Sequence, residues 1–242
     1  MENIYLFDVD GTLTDPRQPM TDDFASVFWE LVSSNPVYLV SGSDLGKIQE
    51  QVPEYILARC KGIFSSSANQ LDVGKNLIYK NEFQPAPEFI KFLEGHVENS
   101  TYKVKSGKHI EHRPGMINFS IVGRNATQEQ REHYYKWDKR KQERKRLAVL
   151  TMVKFPQIDV KIGGEISMDI YPTGLDKRQS VNYLREREPD KRICFFGDKT
   201  TKNGNDYSVV ISLADNDKVH SVTNYRQTRD IILSYLRGES CE

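Results

Sequence analysis

Asp8 and Asp10, two residues apart and followed by Gly11 and Thr12, are the side chains of this sequence best suited to chemistry. They follow the apolar run Ile4-Tyr5-Leu6-Phe7, which reads as a buried parallel strand. The carboxylates therefore arrive at the carboxyl end of a strand, where open α/β sheets bind ligands. As the strand gives way to a loop, both can converge on one small volume. Such a pair can divide the labour of phosphoryl transfer. One carboxylate attacks phosphorus and becomes an aspartyl-phosphate, while the other, kept protonated, gives its proton to the departing oxygen and later takes one from the acceptor. Asp8 is expected to be held ionised by Mg²⁺, which prefers hard oxygen ligands, and Asp10 to have its pKa raised in a closed site. Gly11 lets the backbone pass close to a phosphate, and Thr12 offers it a hydroxyl. The plainer alternative is a solvated turn, where Asp, Gly and Thr are common. An apolar strand directly before the set argues against it.

Two further apolar runs end in polar clusters of the same kind. Val37-Tyr38-Leu39-Val40 leads into Ser41-Gly42-Ser43-Asp44, and Ile193-Cys194-Phe195-Phe196 leads into Gly197-Asp198-Lys199-Thr200, with Gly204-Asn205-Asp206 close behind. Between them lies Asp176-Lys177-Arg178. Singly, each is an ordinary turn or helix surface. In this order they resemble the four motifs of the haloacid-dehalogenase superfamily. That resemblance implies that Ser41 binds the transferring phosphoryl group and that Lys177 neutralises charge on its oxygens. It also implies that Asp198 is a metal ligand and that Asp206 orients either the metal's waters or Lys177.

Lys plus Arg and Asp plus Glu both number 34, so nothing in the formal charge points to nucleic acid or an anionic membrane, and a small-molecule ligand is favoured. Cys60, Cys194 and Cys241 are an odd set without metal-ligand spacing and read as reduced thiols of a cytoplasmic protein. No apolar run approaches a membrane span, and since residues 3–8 already read as a strand, no signal peptide is expected.

The elements that must position these groups alternate. A strand at 3–8, a helix near 21–33 capped by Thr21, a strand at 37–41, a helix near 43–51 and a strand at 62–65 read as a doubly wound parallel sheet. Residues 71–79 read as a hairpin around Gly74. The parallel pattern resumes only at Arg192, and the insert follows other rules. It opens with a helix at 88–97 and has alternating runs at 108–113, 116–122, 158–162 and 166–171, which suggest an antiparallel sheet with one covered face. One long helix, from about Gln128 to Phe155, is expected between the two hairpins, opened by a Thr127-to-Gln130 capping box and stopped by Pro156. The expected architecture is an α/β, Rossmann-like core built from residues 1–81 and 176–242, with an inserted α/β cap domain at 82–175.

Lys136 to Arg146 carries seven basic and two acidic residues beside Trp137, a composition that invites a nucleic-acid reading. On a long helix such a run is more often a solvated face, with Tyr134, Leu147, Leu150 and Phe155 left to pack on the sheet. Arg113, Arg124 and Arg131 are different, because guanidinium groups bind phosphate oxygens bidentately and keep their charge. Three converging would make an anion site separate from Asp8.

Here the resemblance narrows. Residues 111–118, with Ile121-Val122-Gly123-Arg124, Gly163 to Asp169, Asp15-Pro16-Arg17-Gln18 and Gln128-Glu129-Gln130-Arg131, are similar to the motifs of eukaryotic-type phosphomannomutases. So is the set around Asp176 and Asp198, and the likeness runs from Ile4 to about Leu236. It implies Asp8 as nucleophile, Asp10 as acid/base, and Mg²⁺ held by Asp8, the Asp10 carbonyl and Asp198, with Asp206 beside them. It implies further that Arg17, Arg113, Arg124 and Arg131 bind the sugar phosphate with Asn118, and that Ser167 and Asp169 contact the distal phosphate and the sugar hydroxyls. Mannose 6-phosphate and mannose 1-phosphate would interconvert through a hexose 1,6-bisphosphate activator, in a homodimer joined through the cap, to supply GDP-mannose synthesis. Two departures stand out. Ser65-Ser66-Ser67-Ala68 replaces the family's usual Pro-Glu-Asn-Gly, and residues 207–219 match its further metal-binding loop poorly. The rival readings are a sugar-phosphate phosphatase with the same nucleophile and a non-catalytic phosphosugar-binding protein.

Overall fold

The computed structural model describes residues 2–202 and 204–238; Cys241 lies outside them. The chain forms two compact units, Met1–Lys80 with Asp176–Glu242, and Asn81–Leu175.

The core unit opens with β1 (Asn3–Phe7), α1 (Asp22–Ser34), β2 (Val37–Val40), α2 (Leu45–Gln51), the short α3 (Glu54–Leu57), β3 (Gly62–Ser65) and the hairpin β4 (Gln70–Val73) and β5 (Asn76–Lys80). The inserted unit contributes α4 (Pro87–Asn99), β6 (Ile110–Arg113), β7 (Met116–Ser120), α5 (Gln128–Lys141), α6 (Glu143–Lys154), β8 (Ile158–Gly163) and β9 (Ser167–Pro172). The core resumes with α7 (Arg178–Arg187), β10 (Arg192–Gly197), α8 (Tyr207–Val210), β11 (Lys218–Ser221) and α9 (Tyr225–Leu236).

Seven strands form the core sheet in the order β11-β10-β1-β2-β3-β4-β5, parallel from β11 through β3 and antiparallel across the hairpin, which extends the same sheet. Strand β1 lies inside it, flanked by β10 and β2. Its side chains alternate between two cores. Tyr5 and Phe7 join Phe24, Phe28, Ile48 and Ile232, whereas Ile4 and Leu6 join Val181, Leu184 and Val209. Burial on both faces is why this strand is apolar without a break.

The inserted unit has a four-stranded antiparallel sheet in the order β6-β7-β9-β8. Ile117, Phe119, Ile158, Val160, Met168 and Ile170 alternate onto one face and pack with Phe89, Leu93, Tyr134 and Leu147 from its helices.

The single long helix expected from 128 to 155 is instead two. Gln142 takes a left-handed conformation (φ 54°) between α5 and α6. Asp138 holds the break, since its carboxylate accepts Arg144 N–H at 3.0 Å and Arg144 Nε at 2.8 Å. The side chain of α5 thus satisfies an amide at the start of α6. Tyr134 and Leu147 are buried as expected, and Phe155 packs at the edge of the same cluster. Leu150 is not: it is 53 % exposed, because it lies off the face of α6 that buries Leu147, Ala148 and Thr151. Within the basic run Arg144 is buried, not solvated. Thr127 makes the full capping box with Gln130, whereas Thr21 occupies the cap position of α1 without a side-chain bond to its backbone.

Candidate active site

Three carboxylates meet where β1 and β10 end. Asp8 N–H extends the ladder to the Phe196 carbonyl at 2.9 Å, so its side chain emerges beside the loop carrying Asp198. Asp8, Asp198 and Asp206 place oxygens within 4.8 Å of one another. The Lys177 ammonium is buried among them, 2.5 Å from Asp8 Oδ1 and 2.7 Å from Asp206 Oδ1. Its neighbours in the Asp176-Lys177-Arg178 triplet are spoken for, because Asp176 accepts from Arg178 N and Nε. Thr12 donates its hydroxyl to Asp8 Oδ2 at 3.2 Å. Gly11 lies in the left-handed region (φ 88°), and a Cβ there would come within 2.6 Å of Asp198 Oδ2. The glycine therefore makes room for the acidic cluster itself, a reason beyond the approach of a phosphate.

Packing three carboxylates together out of water carries an electrostatic cost. Burial pushes the Asp8 carboxyl up to about 8, the Asp206 and Asp198 charges add to that, and Lys177 opposes it. Asp198 is also raised, mainly by burial, with Lys199 opposing. For Lys177, burial works against the charge, but Asp206 and Asp8 outweigh it and raise its pKa. Asp198 Oδ1 is buried without a hydrogen-bond partner among the described residues. Hard oxygen donors at this spacing, one of them unsatisfied, fit a divalent cation.

The Asp10 carboxylate belongs to a different arrangement. It accepts Arg17 N–H at 2.9 Å and Gln51 Nε2 at 3.0 Å on one oxygen, and the Ser43 hydroxyl at 3.2 Å on the other. Arg17 reaches it through a left-handed backbone (φ 64°), with its own side chain exposed. Ser41 is buried and its hydroxyl oxygen accepts Ser43 N–H at 3.0 Å. Ser66, Ser67 and Ala68, at φ 51°, 58° and 64°, form a buried left-handed run. Ser66 and Ser67 amides bond the carbonyls of Ser43 and Ser41 at 2.8 Å, so this run braces the loop beside Asp10. In the poorly matching 207–219 segment, Asp217 accepts from Arg185, Ile193 N–H and Ala214 N–H.

On the polar face of the inserted sheet, register sets Glu111 opposite Asn118, Asn118 opposite Asp169, and Ser120 opposite Ser167. Glu111 grips two arginines, Arg113 Nε on one oxygen and Arg124 Nε on the other, both at 2.8 Å. Arg124 Nη1 donates to the Ser167 hydroxyl at 3.0 Å. Asn118 Nδ2 donates to Asp169 at 2.7 Å, and Gly163 leaves room for that carboxylate, since a Cβ there would lie 2.8 Å from Asp169 Oδ2. Arg131, buried in the first turn of α5, lies 3.6 Å from Glu165, two residues before Ser167.

A sequence profile described as eukaryotic phosphomannomutase matches residues 24–237. The chain belongs to that family. A phosphomannomutase of Triticum aestivum is 37% identical, covering 95% of this chain and 95% of its own length. One of Spinacia oleracea is 36% identical, covering 93% and 92%. Among solved structures, an IMP-nucleotidase of Plasmodium falciparum bound to IMP matches with a TM-score of 0.67 at 14% identity, covering 98% of this chain and 68% of that one. The C-terminal domain of a trehalose-6-phosphate phosphatase from C. albicans matches with 0.66 at 15% identity, covering 99% and 93%. At such identities these two show the α/β fold alone.

Within the phosphomannomutase framework, several residues at these groups have no forecast role. Glu111, Glu165 and Lys199 each hold a charged group forecast for binding, and Ser43 and Gln51 hold Asp10. The spacing of Glu111 and Arg113 on one strand face is a usable signal. Gln51 carries none, because its partner is 41 residues away.

Proposed function

We propose that this phosphomannomutase-family enzyme interconverts mannose 6-phosphate and mannose 1-phosphate through a hexose 1,6-bisphosphate. The observation that carries the reading is the presence, in one chain, of two groups suited to anions: the Asp8–Lys177 centre in the core and the Glu111-bound guanidiniums in the insert. Reversing a bisphosphate requires both, whereas hydrolysis requires one.

An Asp8 oxygen attacks phosphorus, the bond from phosphorus to the sugar oxygen breaks, and that oxygen leaves with the electron pair and takes the Asp10 proton. In the return step the other sugar hydroxyl passes its proton to Asp10 as its oxygen attacks phosphorus, and the bond from phosphorus to the Asp8 oxygen breaks, restoring the carboxylate. Lys177 fixes the attacking carboxylate and offsets charge on the phosphoryl oxygens, and the Ser41 hydroxyl donates to one of them. Arg17, Arg113, Arg124 and Arg131 take the second phosphate with Ser167, while Asn118 and Asp169 receive sugar hydroxyls. Asp8, Asp198 and Asp206, with the Asp10 carbonyl, would hold Mg²⁺, which supplies positive charge where the phosphoryl oxygens gather.

Val149, Leu150 and Val153 leave an exposed apolar stripe on α6, which supports a homodimer through the inserted unit. Cys60 and Cys194, buried and unpaired with each other, suit a reducing cytoplasm.

Mannose 1-phosphate, Mg²⁺ and a trace of hexose bisphosphate should yield the 6-phosphate. Stoichiometric inorganic phosphate without that isomer would reject the mutase in favour of a phosphatase. Arg131→Ala should weaken hexose-phosphate binding and spare hydrolysis of a small aryl phosphate.

A further inference from the structure

Three carboxylates and two ammoniums share the core centre, and the two lysines are held differently. Lys177 has a side chain 1% exposed and locked between Asp8 and Asp206. Among the described residues Lys199 bonds only Asp198 Oδ2 through its ammonium, at 2.9 Å, and its side chain is 34% exposed. Its backbone is the fixed part. Lys199 N–H donates to Asp206 Oδ2 at 3.0 Å, its carbonyl accepts Asp206 N–H at 3.2 Å, and Gly204 packs so closely on that carbonyl that a Cβ would lie 1.9 Å away. The root of the side chain is thus anchored to the acidic cluster, while about a third of the side chain is open to solvent.

We infer that Lys199 is a tethered monovalent cation that competes with the divalent ion for Asp198 and so sets how tightly that ion is held. The inference rests on the reading of Asp8, Asp198 and Asp206 as a cation site. Among the described residues one oxygen of Asp198 lacks a partner, and the other carries the ammonium. A divalent ion at the cluster therefore meets a positive charge within one carboxylate's width, and like charges that close repel strongly even when partly screened. The ammonium must swing outward for the ion to gain the full carboxylate, and the solvent-open third of its side chain leaves a way for that movement. Lys177, enclosed by two carboxylates, has no such exit.

Mg²⁺ titrations followed by thermal unfolding and by calorimetry test the competition without any turnover. Lys199→Met and Lys199→Gln should lower the half-saturating Mg²⁺ concentration by about tenfold, and Lys199→Arg should stay within about twofold of the parent chain. Unchanged or weaker binding in both neutral variants would overturn the inference. In the unmodified protein, acetylation of Lys199 followed by mass spectrometry should rise on adding Mg²⁺ while Lys177 stays protected; no rise would also overturn it. Asp198→Asn separates the two readings. If that variant keeps the parent Mg²⁺ affinity, the cation site itself is misassigned, whereas a loss there with no response at Lys199 defeats only the competition.

Discussion

The acidic centre of the core unit and the guanidinium network of the inserted unit are built by different means. In the core, each reactive carboxylate is aimed by backbone, at the end of a strand or in the loop behind it, and the groups that meet are far apart in the chain. Lys177 and Asp8 are separated by 169 residues. In the insert, partners lie on one strand or in the loop that follows the hairpin and hold each other by side chains, Glu111 reaching Arg113 two residues away and Arg124 thirteen away. Parallel strands impose the first arrangement, since their ends converge only after long crossovers, while hairpins bring near neighbours face to face. The consequence is a division of sensitivity. A strand-end carboxylate survives loss of one neighbour in place but not in charge, whereas a guanidinium that loses its carboxylate loses its position.

The contrast can be broken by substitution, starting with the largest effect. Asp10→Asn should slow hexose-phosphate turnover by about two to four orders of magnitude while the fold is kept. If steady-state isomerisation fell no further than in the insert variants, the catalytic weight given to the core would be wrong. Arg144→Ala should destabilise the inserted unit by about 3–5 kcal/mol, because Asp138 would keep a buried charge without its partner. The effect should appear in urea unfolding read by Trp137 in a Trp29→Phe background. Glu111→Ala should raise the half-saturating hexose phosphate about tenfold, roughly 1.4 kcal/mol, and leave phosphoenzyme formation from an aryl phosphate unchanged. Equal loss on both substrates would erase the distinction between the two regions. Smallest, Thr127→Ala should cost about 1 kcal/mol in thermal unfolding, and Thr21→Ala less than half of that, since only Thr127 accepts a backbone bond at its helix start.

Strands β1, β2, β3 and β10 were legible because burial on both faces demands unbroken apolar runs, and the polar residues directly after such a run are delivered to a sheet edge; β11, polar and partly exposed, was not legible. The insert's hairpins were legible from alternation. The break at Gln142 was not, because the polar and apolar spacing runs through it; only the fold-back of Arg144 onto Asp138 and onto the Gly164 and Ser167 carbonyls selects it. Nor was the left-handed run Ser66 to Ala68, which lacks the glycines that usually announce such a backbone. Local composition and order along the chain thus determined the parallel centre of the core sheet, the insert's hairpins, the four phosphoryl-transfer motifs and the family, but not β11 or the addition of β4 and β5 to the core sheet. Tertiary structure alone decided which distant groups meet: Gln51 on Asp10, and Arg124 on Glu111 and Ser167. Pairings of that kind depend on register and on crossover geometry, which bring together side chains whose separation along the chain carries no trace of the contact.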